Sequence, residues 1–361
     1  MKINAFYLPQ FHEIQENNEW WGKGFTEWTN TKKSSPLFKG HNQPREPKNN
    51  YYYNLLDAEA REWQAKIARD HGIYGFCYYH YWFNGQKLLE KPIEMVLEKQ
   101  SPDFPFCFSW ANESWSKAWD GQDKHILMKQ DYGAEEDWIT HFNYLLPFFK
   151  DKRYIRIDNK PVFIIYRSAS IPECDKMLAM WNNLAKKNGI EGIYFITTLT
   201  SFEIDTISKQ FNAQIEFEPM YTYSHYFDIG KKITRIIKLL FRKYLKLKSH
   251  IFINSISYDY LWKKIINRKK NTAKTILGAF VDWDNSPRKG KESFIVTGAS
   301  PEKFEKYLKA QIKKDYKTNQ TGFIFINAWN EWAEGAYLEP DKKNGFKYLK
   351  AVKNALENSN N

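Results

Sequence analysis

Cysteine is scarce in this sequence: Cys77, Cys107 and Cys174 are the whole supply among 361 residues, and no C-x-x-C pair occurs. An odd, unpatterned set excludes a disulfide framework and a cysteine-built zinc site. Cys77 and Cys107 sit in apolar, aromatic runs, where a thiol behaves as a small buried hydrophobe. No histidine-rich spacing appears either, so neither a metal nor a cofactor is expected. The opening MKINAFYLPQF lacks the long apolar region of a signal peptide, and no apolar run reaches membrane-spanning length. A cytoplasmic protein is the expectation. Glycine is missing where a phosphate-binding loop would need it: the first apolar run continues as LPQFHEI. That weighs against a doubly wound dinucleotide-binding sheet. No linker rich in Pro, Gly or Ser and no internal repeat breaks the chain, so residues 1–361 read as one domain. Acidic residues are absent between Asp228 and Asp259, while 231–248 hold eight lysines and arginines. Most of the +12 formal charge is therefore local, which marks a contact surface rather than a generally basic protein.

Aromatics are abundant, with 14 Trp and 23 Tyr. They suit either a large core or a surface that stacks on ring-shaped ligands. Apolar bursts alternate with amphipathic stretches from end to end. Strands are predicted at Asn4–Phe11, Tyr74–Phe83, Phe104–Asn112, Pro161–Arg167, Ile193–Leu199, Ala213–Met220, Ile276–Trp283 and Gly322–Asn330. Helices are predicted near Asp57–His71, Lys87–Lys99, Glu135–Lys150, Cys174–Asn188, Pro301–Tyr316 and Gly345–Glu357, with Asp57 as an N-cap and Gly189 as a stop signal. Eight strands interleaved with helices give a (β/α)8 barrel, a TIM barrel, with long βα loops. A doubly wound open sheet is the alternative. The acid-free stretch, residues 229–258, is read as a basic helical insertion after the sixth strand.

In such a barrel the C-terminal strand ends meet at one mouth. Strand one runs into Tyr7, Gln10 and His12. Strand two ends with His80, Tyr81 and Trp82. Strand three ends with Trp110, Asn112 and Glu113. Strand six carries Glu216 and Glu218 on one face by alternation. Strand seven ends with Asp282, Asp284, Asn285 and Arg288. Strand eight ends in WNEWAEG, with Glu331 and Glu334 among Trp329, Asn330 and Trp332. Indole and phenol faces suit the C–H face of a sugar; carboxylates, amides and guanidinium suit its hydroxyl edge. Two nearby carboxyl groups, one protonated and one ionised, break a glycosidic bond, and proximity raises their proton affinity. Two glutamates three apart also occur on solvated helix faces, but the flanking tryptophans and apolar run oppose full solvation here. Glu27 in GFTEW reads as a third carboxylate at the mouth or a loop anchor, Glu113 as a site group or a loop ion pair, and His80 as a site group or a core histidine. Asp282 and Asp284 read as contacts to sugar hydroxyls or an ion pair with Arg288 rather than as metal ligands.

The blocks AFYLPQFH, WWGKGFTEWTN, GIYGFCYYHYWFNG, FPFCFSWANESW, DNSPR and NAWNEWAEGAYLEPD resemble the WbsX-type proteins of surface-polysaccharide loci. That group is similar to glycoside hydrolase family 99, the endo-α-mannosidases and mannanases. The resemblance runs from residue 4 to about residue 349. It implies a (β/α)8 barrel and a retaining attack on an α-mannoside-like bond. It assigns Glu331 as the base that deprotonates the sugar's own 2-hydroxyl, giving a 1,2-anhydro sugar, and Glu334 as the acid. Tyr7 would contact the sugar beside the cut bond, and Glu339 would support the block from behind. Ala333 stands where hydrolases of the family carry histidine, and the loop 11–50 is the chain's own. The implied partner is an oligosaccharide or polysaccharide, with a lipid-linked form as one option. A glycosyltransferase of polysaccharide assembly and a non-catalytic glycan-binding protein are the alternatives. In 231–250 the apolar residues recur at helical spacing with cations opposite, which fits either an ordinary barrel helix or a helix lying on an anionic membrane at its inner face. Nucleic acid is not an expected partner, because no further basic patch supports it.

Overall fold

The computed structural model describes residues 1–117, 126–202, 208–228, 230, 253–269, 274–319 and 321–359. Eight strands form the frame: β1 (Lys2–Tyr7), β2 (Ile73–Phe83), β3 (Phe106–Trp110), β4 (Lys160–Ile165), β5 (Tyr194–Leu199), β6 (Ala213–Glu216), β7 (Thr275–Phe280) and β8 (Phe323–Asn327). Each pairs in parallel with the next, and β8 returns to β1, so the sheet closes. The expected (β/α)8 barrel is what the chain adopts. Parallel strands are covered on both faces, so they read as apolar runs such as FIFIN and KPVFII. Along β1, Asn4 and Phe6 point into the barrel and Tyr7 points out, and Phe6 meets Tyr79, Phe217 and Phe325 inside. Where β6 and β7 approach, a Cβ at Gly278 would collide with the Glu216 carbonyl oxygen, so only glycine fits.

The outer layer includes helices Ala58–Asp70, Lys91–Lys99, Glu135–Lys150, Cys174–Lys187, Tyr258–Asn267, Pro301–Lys314 and Lys347–Glu357. Pro301–Lys314 shows why they start where they do: Ser300 Oγ accepts from Lys303 N, and Pro301 occupies the first turn, where its missing N–H costs nothing. Asp57 occupies the N-cap of Ala58–Asp70 but makes no side-chain capping bond.

The elements differ from expectation in three places. The helix expected from Lys87 begins at Lys91, because Gln86–Leu88 folds back on β2 as a hairpin and Leu89 adopts a left-handed φ of 59°. The loop 11–50 contains two short helices, Gln15–Trp21 and Glu27–Lys33. Of the basic insertion, residues 229 and 231–252 lie outside the described residues. Its described end is not helical: Asn254–Ser257 pairs in parallel with Phe294–Thr297, and helix Tyr258–Asn267 starts only after it. No helix among the described residues is long and apolar enough to cross a membrane.

Candidate active site

All eight strands contribute to a cleft of about 450 Å³ at the C-terminal ends of the barrel. Leu8 follows β1, Tyr79 and Tyr81 end β2, and Glu113, Trp115 and Ser116 follow β3. Tyr166 follows β4, Ser201 follows β5, Phe217 and Met220 follow β6, and Trp283, Asn285, Arg288 and Lys289 follow β7. Glu331 and Glu334 complete the wall after β8.

Arg288 organises the acids. Its Nη1 donates to Glu334 Oε1 at 2.7 Å, and its Nη2 donates to Glu331 Oε2 at 3.2 Å and to both Glu27 oxygens at 3.1 Å. Glu27 in turn accepts from the Ala333 amide at 2.8 Å, which fixes the backbone between the two catalytic candidates. Three carboxylates around one guanidinium leave excess negative charge in a poorly solvated place. Burial pushes the Glu331 carboxyl well above the ordinary carboxylate range; Glu334 beside it adds to the rise, and Arg288 only partly offsets it. Burial also raises Glu334, against the pull of Arg288. The pair therefore retains a proton where isolated glutamates would have lost theirs. Burial, with the Glu331 charge adding to it, keeps the Tyr79 and Tyr81 hydroxyls protonated in the cleft wall.

The turn after β7 is locked to this block. Asp284 Oδ2 accepts from Gln43 Nε2 at 2.7 Å and meets His41 Nε2 at 2.8 Å, and its Oδ1 accepts from Ser286 N at 3.0 Å. Burial would raise the Asp284 carboxyl; the hydrogen bond from His41 and the charge of Arg45 outweigh it and hold the group low. Asn285 lines the cleft, while its Oδ1 accepts from Phe294 N at 2.9 Å. Glu113, also on the cleft wall, pairs with Arg167 at 2.9 Å.

Of the residues singled out in the sequence, Gln10, Glu27, Tyr81, Glu113, Asn285, Arg288, Glu331 and Glu334 come together around this cleft and a small side cavity. The others do not, and strand alternation is the main reason. Tyr7 turns outward, is fully buried and donates to Gln64 on helix Ala58–Asp70 at 2.6 Å, so it is removed from the sugar-contact set. His80 and Trp82 also face outward: His80 shares a 2.8 Å hydrogen bond with His141, whose ring stacks on Trp82. Trp110 packs edge-on against the same His141. Asn112 exchanges hydrogen bonds with the Arg167 backbone and builds the loop rather than the wall. Glu216 and Glu218 do share a face, but both are taken up by Arg268. Asp282 pairs with Arg45 at 2.9 Å, not with Arg288. Trp329 packs on Phe76 outside the barrel. Asn330 clamps both backbone groups of Leu8. Trp332 stacks on Tyr337 and donates to Glu339 at 2.7 Å. His12 is buried against the Pro9 carbonyl.

Sequence reasoning missed Tyr79, Trp115, Tyr166, Phe217 and Trp283, which form most of the aromatic wall. Alternation held the signal for two of them: Tyr79 lies two residues before Tyr81, and Phe217 lies between the two glutamates that were chosen instead.

The model of the family described as Glycosyltransferase WbsX matches residues 3–352. Two proteins named "Uncharacterized protein WxcX", from two strains of Xanthomonas campestris pv. campestris, are each 34% identical over 354 residues. The match takes in 98% of this chain and 49% of theirs, so the chain spans about half the length of these curated relatives. Among solved structures, the GH99 endo-α-mannosidase from Bacteroides thetaiotaomicron is similar in a complex with bis-tris propane, with a TM-score of 0.59 and 13% identity over 99% of this chain and 97% of that one. A second structure of that enzyme gives a TM-score of 0.57 at 14% identity over the same shares of the two chains. A glycoside hydrolase-like protein gives 0.59 at 13%, covering 98% of this chain and 93% of its own. At such identities these structures speak for the fold, whereas the family match runs through every strand that builds the cleft: the chain belongs to the WbsX glycosyltransferase family.

Proposed function

We propose that this chain is a glycan-processing enzyme that cleaves or transfers a glycosyl unit with retention, using Glu331 and Glu334. One observation carries the reading: Arg288 holds both carboxylates, with Glu27, in the wall of an aromatic cleft. A raised proton affinity suits each assigned role. It makes Glu331 a stronger base toward a sugar hydroxyl, and it keeps a proton on Glu334 for the leaving group.

In the first step Glu331 takes the proton of the 2-hydroxyl, and O2 attacks the anomeric carbon. The bond from that carbon to the leaving oxygen breaks, and the oxygen takes the proton of Glu334. In the second step an acceptor hydroxyl gives its proton to Glu334 and attacks the anomeric carbon of the 1,2-anhydro sugar. The bond to O2 opens, and O2 recovers its proton from Glu331. Two inversions give retention. Water as acceptor yields hydrolysis; a sugar hydroxyl yields transfer. The α-mannoside class comes from the resemblance and from the name of the similar B. thetaiotaomicron enzyme. Lipid-linked glycans and a site of action at the cytoplasmic membrane face belong to the same proposal.

The test is digestion of a panel of α-linked oligosaccharides and surface polysaccharides, read by mass spectrometry. New reducing ends or transfer products, formed without a nucleotide sugar, support the reading. Strict dependence on a nucleotide sugar opposes it.

A further inference from the structure

A second, smaller cavity of about 40 Å³ adjoins the cleft and shares Trp115, Ser116 and Arg288 with it. Trp21, Phe25, Trp115 and Leu127 give it apolar walls, and Gln10, Asn30 and Glu27 add polar groups. Its volume holds roughly three water molecules, or one small substituent. Two of its polar side chains make no side-chain hydrogen bond from the group concerned among the described residues: the Asn30 amide oxygen and the Gln10 amide. Asn30 is 8% exposed, and its amide oxygen is buried with no hydrogen bond. Gln10, also 8% exposed, makes no side-chain hydrogen bond among the described residues; only its backbone carbonyl is used, by Glu27 N. Buried amide oxygens in native proteins are almost always paired, so the orphaned Asn30 oxygen points to a ligand group that donates to it, with the Gln10 amide in the same wall free to bond the same group.

The surroundings narrow the chemistry of that group. Glu27 lines the cavity, and Arg288 already faces Glu27, Glu331 and Glu334. A carboxylate or phosphate would meet net negative charge, which excludes an anionic substituent. A bare hydroxyl would leave the aromatic walls unfilled. A neutral group with a hydrogen-bonding head and a methyl end matches both halves.

We infer that this cavity is a specificity pocket for an acetyl group carried as an amide, an acetamido group, on the sugar that reacts at Glu331. The inference rests on the glycan-processing reading. Because Glu331 acts there on a free 2-hydroxyl, the acetyl group sits on another position of that sugar. The acetamido N–H donates to Asn30 Oδ1, the Gln10 amide donates to the acyl oxygen, and the methyl packs against Trp21, Phe25 and Trp115. The sequence block WWGKGFTEWTN thereby acquires a role: Trp21, Phe25, Glu27 and Asn30 of the pocket wall come from it.

The test is a binding titration of the full chain, followed by saturation-transfer NMR. The probes are methyl α-glycosides of manno, gluco and galacto configuration, each with a free 2-hydroxyl. Each is used bare and with a single acetyl group, as an amide, at position 3, 4 or 6. The expected result is at least one acetylated glycoside that binds about tenfold more tightly than its bare form, with the acetyl methyl as its most saturated proton. Asn30→Leu or Gln10→Leu should bring that ratio to about one. If bare glycosides bind and no acetylated form gains, the pocket assignment is wrong and the glycan reading survives. A gain that persists in both variants also overturns it, because the acetyl group then sits elsewhere. If no probe binds in either form, the glycan reading fails and the pocket with it.

Discussion

The backbone amide of Asp284 donates to the carbonyl oxygen of Glu334 at 2.6 Å. This bond joins the turn after β7, which carries Arg288, to the turn after β8, which carries the acids. The Asp284 carboxylate is in turn held by His41, Gln43 and Arg45 from the loop after β1. Three βα loops thus fix one another through a single residue. Asp284→Ala should leave Arg45 and its neighbours without part of their counter-charge and cost about 3–5 kcal/mol of stability, as broken buried ion pairs do. It should also lower kcat by about 10²-fold, because Arg288 and Glu334 lose their common anchor. Denaturant melts and kinetics on the same preparation check both; a variant with unchanged stability and kcat contradicts the anchoring role.

Arg288 donates to all three acids, so its removal acts on their protons. Arg288→Ala should lower turnover by about 10²–10³-fold, the scale of losing a charge-stabilising donor. The acidic limb of the pH–rate profile should move to higher pH, because Glu331 and Glu334 lose the cation that now opposes their rise. A lower plateau with an unmoved limb would show that Arg288 binds substrate without tuning the pair.

His80 and His141 share one hydrogen bond in the layer between β2 and helix Glu135–Lys150. Burial lowers His80 from 6.5 to about 3. The unfolded chain therefore takes up the proton first. The stability contributed by neutral His80 is complete above pH 6.5 and declines as pH falls toward 3, by up to about 5 kcal/mol. His80→Gln should flatten the stability–pH curve in that window. Melting curves from pH 7 to 4 read the difference.

Glu339 behaves in the opposite sense. It accepts from Trp332, Gln64 and Tyr53 at 2.7, 2.7 and 2.9 Å, yet burial raises it from 4.5 to about 7. The folded state holds its proton longer, so its contribution favours folding at low pH and fades between pH 4.5 and 7, by about 3 kcal/mol. Glu339→Gln should remove this slope. Wild type and variant that run parallel from pH 4.5 to 7 contradict the assignment.

The barrel was legible because parallel strands covered on both faces leave uninterrupted apolar runs, each closed by an amphipathic helix. Helices Gln15–Trp21 and Glu27–Lys33 were not, because seven residues give too few turns for a periodic stripe. At the site, residue type was a good guide to Glu331, Glu334 and Arg288, whose charges have few reasons to lie at strand ends. Aromatics misled. His80, Trp82 and Trp110 look like sugar contacts, yet they fill the space between barrel and helix, while Tyr79 and Tyr81 one residue away face the cleft. Which of two neighbouring aromatics faces inward depends on register, a property of the closed sheet that no single strand displays.

The central claim is that Glu331 and Glu334 exchange protons with one sugar in one cleft. The most direct measurement is turnover of the best substrate from the oligosaccharide panel by wild type, Glu331→Gln and Glu334→Gln, with each chain's fold checked by circular dichroism. Both variants should fold and should lose about 10²–10⁴-fold in kcat, with Glu334→Gln losing least on substrates whose leaving group needs no proton. Turnover near the wild-type rate in either folded variant contradicts the account.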